Sequence, residues 1–140
     1  MKIQDMDFIL DASVTMAWCF EDEVTDYSEN VFDRLVTSRA IVPSLWALEV
    51  ANVLLLAQRK KRISKIKSAE FKDSLNLLPI QIDHSSSQRV MNSIMQLAAE
   101  TQLTIYDATY LELALHLSLP LATLDQALKK AANKMKVKLF

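Results

Sequence analysis

The sequence predicts an α/β domain built on a mainly parallel sheet. Two observations carry this. Apolar runs of three or so residues alternate with longer stretches at helical spacing, the pattern of strands joined by helical crossovers. The runs also stop abruptly, at Asp11, Pro43 and Asp83. The 140 residues, 51% hydrophobic and 24% charged, suit one domain spanning 1–140 with a real core.

The elements follow in order. Phe8-Ile9-Leu10 reads as a buried strand ending at Asp11. Ser13 is placed to cap a helix through Val14 to Phe20. A second helix, about Val24 to Ser38, has Val31, Phe32 and Leu35 at helical spacing. Ala40-Ile41-Val42 is the second strand. Ser44 then caps a long helix to about Lys60, whose cationic end, Arg59-Lys60-Lys61-Arg62, complements the helix dipole. Ser64 begins the next helix, with Ile66, Ala69, Phe71, Leu75 and Leu78 as its apolar positions, and Pro79 ends it. Ile80-Gln81-Ile82 is the third strand. Ser85 to Glu100 is a helix with Val90, Ile94, Leu97 and Ala98 on one face; Met91 and Met95 read as core. Thr104 and Asp107 have capping-box spacing and open a helix to about Leu117. Leu121-Ala122-Thr123 is the fourth strand, Asp125 opens a helix to about Met135, and Val137 to Phe140 reads as a last edge strand.

The sequence contains no glycine, where average usage would give roughly ten. Helix ends that need a positive φ must use other residues, and Lys61, Gln102 and Ser118 are the expected substitutes, at about 1–2 kcal/mol each. The same absence excludes glycine-rich phosphate-cradling loops. One cysteine, Cys19, excludes an internal disulfide and a cysteine-built zinc site, and a reducing, cytoplasmic setting fits. No apolar run reaches the roughly 18 residues of a membrane span. The opening MKIQDMDFIL carries early acids and no small-residue cleavage site, so no secretory signal is expected. His84 and His116 read as surface residues, with no Ser-His-Asp arrangement around them.

Ligands in open α/β sheets bind beyond the carboxyl ends of the strands, and acids gather there. Asp11 ends the first strand. Thr123 ends the fourth, and Asp125 follows two residues later. Asp107 lies in the first turn of a helix whose other face carries Ala108, Leu111, Ala114 and Leu115. Glu49 lies early in the helix after the second strand and shares a face with Leu45, Trp46, Val53 and Leu56. Taken singly, Asp11 and Asp125 serve as helix caps and Asp107 as a capping-box residue. Glu49 needs a partner, because an isolated buried carboxylate costs several kcal/mol; an arginine is the bland answer, and none is obviously placed to supply it. If the four acids meet, mutual repulsion opposes their joint ionisation. A hard dication such as Mg²⁺ or Mn²⁺ resolves this, and a pair of them supports in-line phosphodiester cleavage. Setting the four acids aside takes the formal charge from −1 to +3, compatible with a polyanionic substrate.

Four ordered motifs make this specific: FILDASV at 8–14, VPSLWALEVANVL at 42–54, LTIYDATYLELAL at 103–115 and LPLATLDQAL at 119–128. Together they resemble the PIN-domain ribonucleases, in particular the VapC-type toxins of toxin–antitoxin pairs. The resemblance implies a three-layer α/β/α sandwich around a parallel sheet. It implies that Asp11, Glu49, Asp107 and Asp125 match the family's acidic quartet, with Ser13 and Thr123 as its supporting hydroxyls. It implies a Mg²⁺-dependent endoribonuclease, commonly acting on tRNA or ribosomal RNA, a homodimer, and an antitoxin on a separate chain. On that basis Asp11 and Asp107 are expected to bind the principal ion directly, Glu49 to bind it through water or orient the attacking water, and Asp125 to complete the site or hold a second ion. Lys61, Gln102 and Ser118 stand where relatives often carry glycine.

Other readings are weaker. A phospho-receiver resembles an acidic pair at the first strand, but residue 12 is Ala, and no Lys immediately follows Thr123. A haloacid-dehalogenase-like phosphatase wants Asp where Ser13 stands. The stronger alternative is a non-catalytic module that binds RNA or a partner. Arg59, Lys60, Lys61 and Arg62 are either helix-end charge or an RNA contact.

Overall fold

The computed structural model describes residues 7–140. The reading of residues 1–6 as free of a secretory signal lies outside them. The strands are β1 (Phe8–Leu10), β2 (Ala40–Pro43), β3 (Ile80–Asp83) and β4 (Leu121–Ala122). They form a parallel sheet in the order β3-β2-β1-β4. Ile9 pairs with Ile41 on one side and Leu121 on the other, so β1 is central. Its Phe8, Ile9 and Leu10 are fully buried, as an apolar run covered on both faces requires.

The helices are α1 (Ala12–Ala17), α2 (Asp26–Arg34), α3 (Leu45–Arg59), α4 (Lys65–Asn76), α5 (Ser87–Arg89), α6 (Met95–Thr101), α7 (Ile105–Leu117) and α8 (Gln126–Lys134). A 3₁₀ turn (Glu21–Glu23) precedes α2, and a π-helical segment (Val90–Ile94) joins α5 to α6. With the right-handed crossovers that parallel strands require, this order puts α1–α4 on one face of the sheet and α5–α8 on the other, the expected sandwich. α1 packs on α2 and α3; α7 packs on α6, α8, β1 and β2.

Several local expectations are corrected. The first helix starts at Ala12 with Asp11 as its N-cap, so Ser13 lies inside it and its hydroxyl is free for another task. Ser44 makes no side-chain cap, because it is already helical. The second helix is shorter than expected and is set by a reciprocal capping box between Thr25 and Ser28. The helix after β3 starts later than Ser85, where the Ser86 hydroxyl accepts from the Arg89 N–H. Met91 and Met95 are exposed, since the π-helical segment and α6 bury Ile94, Leu97 and Ala98 instead. Leu56 and Leu115 are also exposed; the inward face of α3 is Trp46, Val50, Leu54 and Ala57. β4 stops at Ala122. The last edge strand shrinks to one parallel bridge, Leu121 to Leu139, because Lys136 turns back at φ 60° just before it.

Lys61, Gln102 and Ser118 do take positive φ (58°, 61° and 56°), and Lys136 is a fourth such residue. His84 and His116 are exposed. Two buried carboxylates away from the carboxyl ends of the strands find arginines. Asp7 accepts from the Arg39 guanidinium at 2.8 Å. Glu112 accepts two bonds from Arg89, at 3.1 and 2.7 Å, and Arg89 also reaches Asp83 at 3.4 Å. Among the described residues no helix is long and apolar enough to cross a membrane.

Candidate active site

The chain leaves β1 for β2 on one side and later returns from β3 to β4 on the other, so the carboxyl ends of β1 and β4 flank the sheet's switch point. Asp11 follows β1 there and is 5% exposed. Its Oδ2 accepts from the Ser13 hydroxyl at 2.6 Å and from the Thr123 hydroxyl at 2.7 Å. Each hydroxyl is itself oriented by a backbone donor. The Leu124 N–H donates to Ser13 Oγ and the Asp125 N–H to Thr123 Oγ1, both at 3.0 Å. Accepting from an amide turns each O–H proton toward Asp11. The segment after β4 and the first turn of α1 are thereby clasped across the switch point.

Asp125 caps α8, its Oδ1 accepting from the Leu128 N–H at 2.8 Å. Asp107 enters from the first turn of α7, where Thr104 caps by accepting from the Asp107 N–H at 3.1 Å. Glu49 enters from α3, which is pinned to α1 one turn earlier by a buried bond from the Trp46 indole N–H to the Thr15 hydroxyl, 3.0 Å. Glu49 Oε1 accepts from the Tyr110 phenol at 2.6 Å. The partner that Glu49 requires is thus a tyrosine and not an arginine.

Asp11, Glu49 and Asp107 each feel the charge of other acids among the four. Burial raises the Asp11 carboxyl above its ordinary value; the Ser13 and Thr123 bonds pull it back, and the Asp125 charge pushes it up again. Burial raises Asp107 too, helped by the charges of Asp125 and Asp11. Burial raises Glu49, the Tyr110 bond lowers it, and Asp11 and Asp107 raise it further. Burial also keeps the Tyr110 phenol well above its ordinary value, so it stays a proton donor. Tyr27 on α2 stands against the Thr123 backbone and feels Asp11 as well.

Among the described residues no group of three or more His, Cys, Asp or Glu side chains forms an arrangement that would hold a metal ion as it stands. The donor set nevertheless fits a hard dication that keeps part of its water shell. It is all oxygen, it is anionic, and neighbouring acid charge raises the proton affinity of Asp11, Glu49 and Asp107, which a divalent charge would reverse.

The four acids are joined by three residues that the sequence reading missed: Tyr110, Tyr27 and the Thr15–Trp46 pair's Thr15. Tyr110 carried a signal, a phenol three residues after Asp107, one turn along the same helix. The basic cluster is elsewhere. Arg62 is committed to Asp22 at 2.8 Å and Glu23 at 2.7 Å and stacks on Phe20 at 3.9 Å, while Arg59, Lys60 and Lys61 are exposed. A cavity of about 640 Å³, lined by Arg34, Leu115, Pro120, Val137 and Phe140, contains none of the four acids.

Fold and site define a parallel α/β domain with an acidic centre at its switch point. The family is narrower: the sequence matches the PIN domain over residues 8–134, and the chain belongs to that family. PIN domains are generally nucleases, which supports a hydrolase acting on nucleic acid. No curated protein matches the chain. Among solved structures it is similar to PAE2754 from Pyrobaculum aerophilum, at 21% identity and TM-score 0.70, covering 92% of this chain and 81% of that one. It is similar to VapBC2 from Rickettsia felis bound to a promoter DNA fragment, at 14% identity and TM-score 0.69, covering 96% and 97%. It is also similar to FitAcB from Neisseria gonorrhoeae, at 16% identity and TM-score 0.65, covering 95% and 96%. At these identities the likeness concerns the fold.

Proposed function

We propose that this chain is a single-domain, metal-dependent endoribonuclease of the VapC type, the toxin of a toxin–antitoxin pair. The observation that carries the reading is the Asp11 carboxylate, buried at the switch point and gripped by Ser13 and Thr123 while it feels Asp125. Asp11 and Asp107 would hold Mg²⁺ or Mn²⁺ directly, Glu49 would act through water, and Asp125 would complete the set. A bound dication supplies neutralising charge for the acids and the phosphate and makes water a competent nucleophile. The chain's own residues fix where that happens. Ser13 and Thr123 hold one oxygen of Asp11. Thr104 and Asp125's cap bond fix the starts of the two helices that deliver Asp107 and Asp125.

The substrate we propose is RNA, tRNA or ribosomal RNA, with Arg59, Lys60 and Lys61 as phosphate contacts and Arg62 beside them. The partner we propose is an antitoxin on a separate chain. An apolar groove of about 360 Å³ between α3, α4 and β3, lined by Trp46, Val50, Leu54 and Leu75, suits a helix of it. A homodimer in the cytoplasm completes the reading.

The test incubates purified antitoxin-free protein with total RNA, with Mg²⁺ and with EDTA, beside Asp11→Asn. Discrete fragments that need both metal and Asp11 are expected. No cleavage by folded, metal-loaded protein would leave the chain a binding module.

A further inference from the structure

The bond between Tyr110 and Glu49 joins two elements that lie on opposite faces of the sheet. Glu49 is on α3 and half-buried; Tyr110 is on α7 and 0% exposed. The phenol donates to Oε1 at 2.6 Å, the short distance of a charge-assisted bond. Among the described residues Glu49 accepts no other hydrogen bond.

A phenylalanine would fill the same core space. The hydroxyl is what distinguishes this residue, and it is spent on Glu49, whose carboxylate has no other hydrogen-bond partner among the described residues. A half-exposed glutamate with three rotatable bonds samples several rotamers. Tyr110 removes that freedom, because its ring is held in the core beneath β1 and β2. It also stands three residues after Asp107, one turn along the same helix face. One helix therefore carries an acid of the site and the donor that aims a second acid.

We infer that Tyr110 is a positioning residue: its hydroxyl sets the carboxylate of Glu49 against Asp107, so α7 aligns both. This rests on the nuclease reading above. The structural alternative, a tyrosine retained for packing alone, makes a different prediction about coupling.

The experiment is a double-mutant cycle of wild type, Tyr110→Phe, Glu49→Ala and the double variant. Each is assayed for Mn²⁺ binding by electron paramagnetic resonance of the free ion, and for RNA cleavage at saturating Mn²⁺. All four are compared below the lowest melting temperature among them. In the wild-type background Tyr110→Phe is expected to weaken Mn²⁺ binding and cleavage at least tenfold, as loss of a ligand's hydrogen-bond partner does. In the Glu49→Ala background the same change is expected to alter neither. Equal losses in both backgrounds, or no loss in either, would overturn the inference while the nuclease reading stands. A folded wild type that neither binds Mn²⁺ nor cleaves RNA would instead remove the nuclease reading, and this inference with it.

Discussion

Thr123 and Asp11 lie 112 residues apart in the chain, and their side chains meet at 2.7 Å. The bond closes the gap between β4 and β1 at the point where the chain reverses its direction across the sheet. It also keeps a buried carboxylate ionisable, since a donated hydroxyl lowers the cost of its charge.

Thr123→Val keeps the shape and deletes that donor. RNA cleavage should fall about 10–100-fold with the fold intact, in line with other partners of metal-binding carboxylates. Circular dichroism and a cleavage time course check both halves. Ser13→Ala should behave similarly.

Asp11→Asn should abolish cleavage and at the same time raise the melting temperature of metal-free protein at neutral pH. The asparagine oxygen still accepts from Ser13 or Thr123, but the buried charge beside Asp125 is gone. A lower melting point would show that the charge is satisfied without metal.

The metal-free protein should lose stability as pH rises. Asp11, Glu49 and Asp107 all have raised folded values, so the native state holds protons that the unfolded state has released. Stability then falls with pH, starting near the ordinary values of 3.8 for Asp and 4.5 for Glu and continuing through the raised ones. Added Mg²⁺ should flatten the slope, as thermal melts from pH 4 to 8 would show.

Glu112→Ala should cost about 2 kcal/mol, below the usual range for breaking a buried pair because Arg89 is partly exposed and keeps Asp83. Mn²⁺ binding should not change, since this pair stands apart from the four acids. Urea titration and a metal titration separate the effects.

Charge reversal of Lys60 and Lys61 should weaken RNA binding and shallow its salt dependence, and lower the melting point only slightly through the lost favourable charge at the C-terminus of α3. Arg62→Ala should lower the melting point, because its guanidinium ties the turn after α3 to Asp22, Glu23 and Phe20.

The strands, most of the helices and the place of Asp11 at the end of β1 were legible because each depends on short-range chemistry. An apolar triplet closed by an acid, Phe8-Ile9-Leu10 before Asp11, is a buried strand reaching its carboxyl end. A carboxylate on the apolar face of α3 announces a site. Long-range bonds were not legible. Nothing local says that Glu49 pairs with Tyr110, 61 positions away, or that Arg62 is taken up by Asp22. Met91 and Met95 misled because a π-helical segment precedes α6, and a 3.6-residue period does not anticipate the shift. The final strand misled because its composition suits a sheet while Lys136 turns the chain first.

The four left-handed turns at Lys61, Gln102, Ser118 and Lys136 bear on the denatured chain as much as on the native one. A glycine at any of them would relax the turn by roughly 1 kcal/mol. It would also give the unfolded ensemble more room, an opposing effect of about 0.4–1 kcal/mol. A sequence with no glycine at all thus begins folding from an unusually stiff coil. Its turns persist because the disordered alternatives are few.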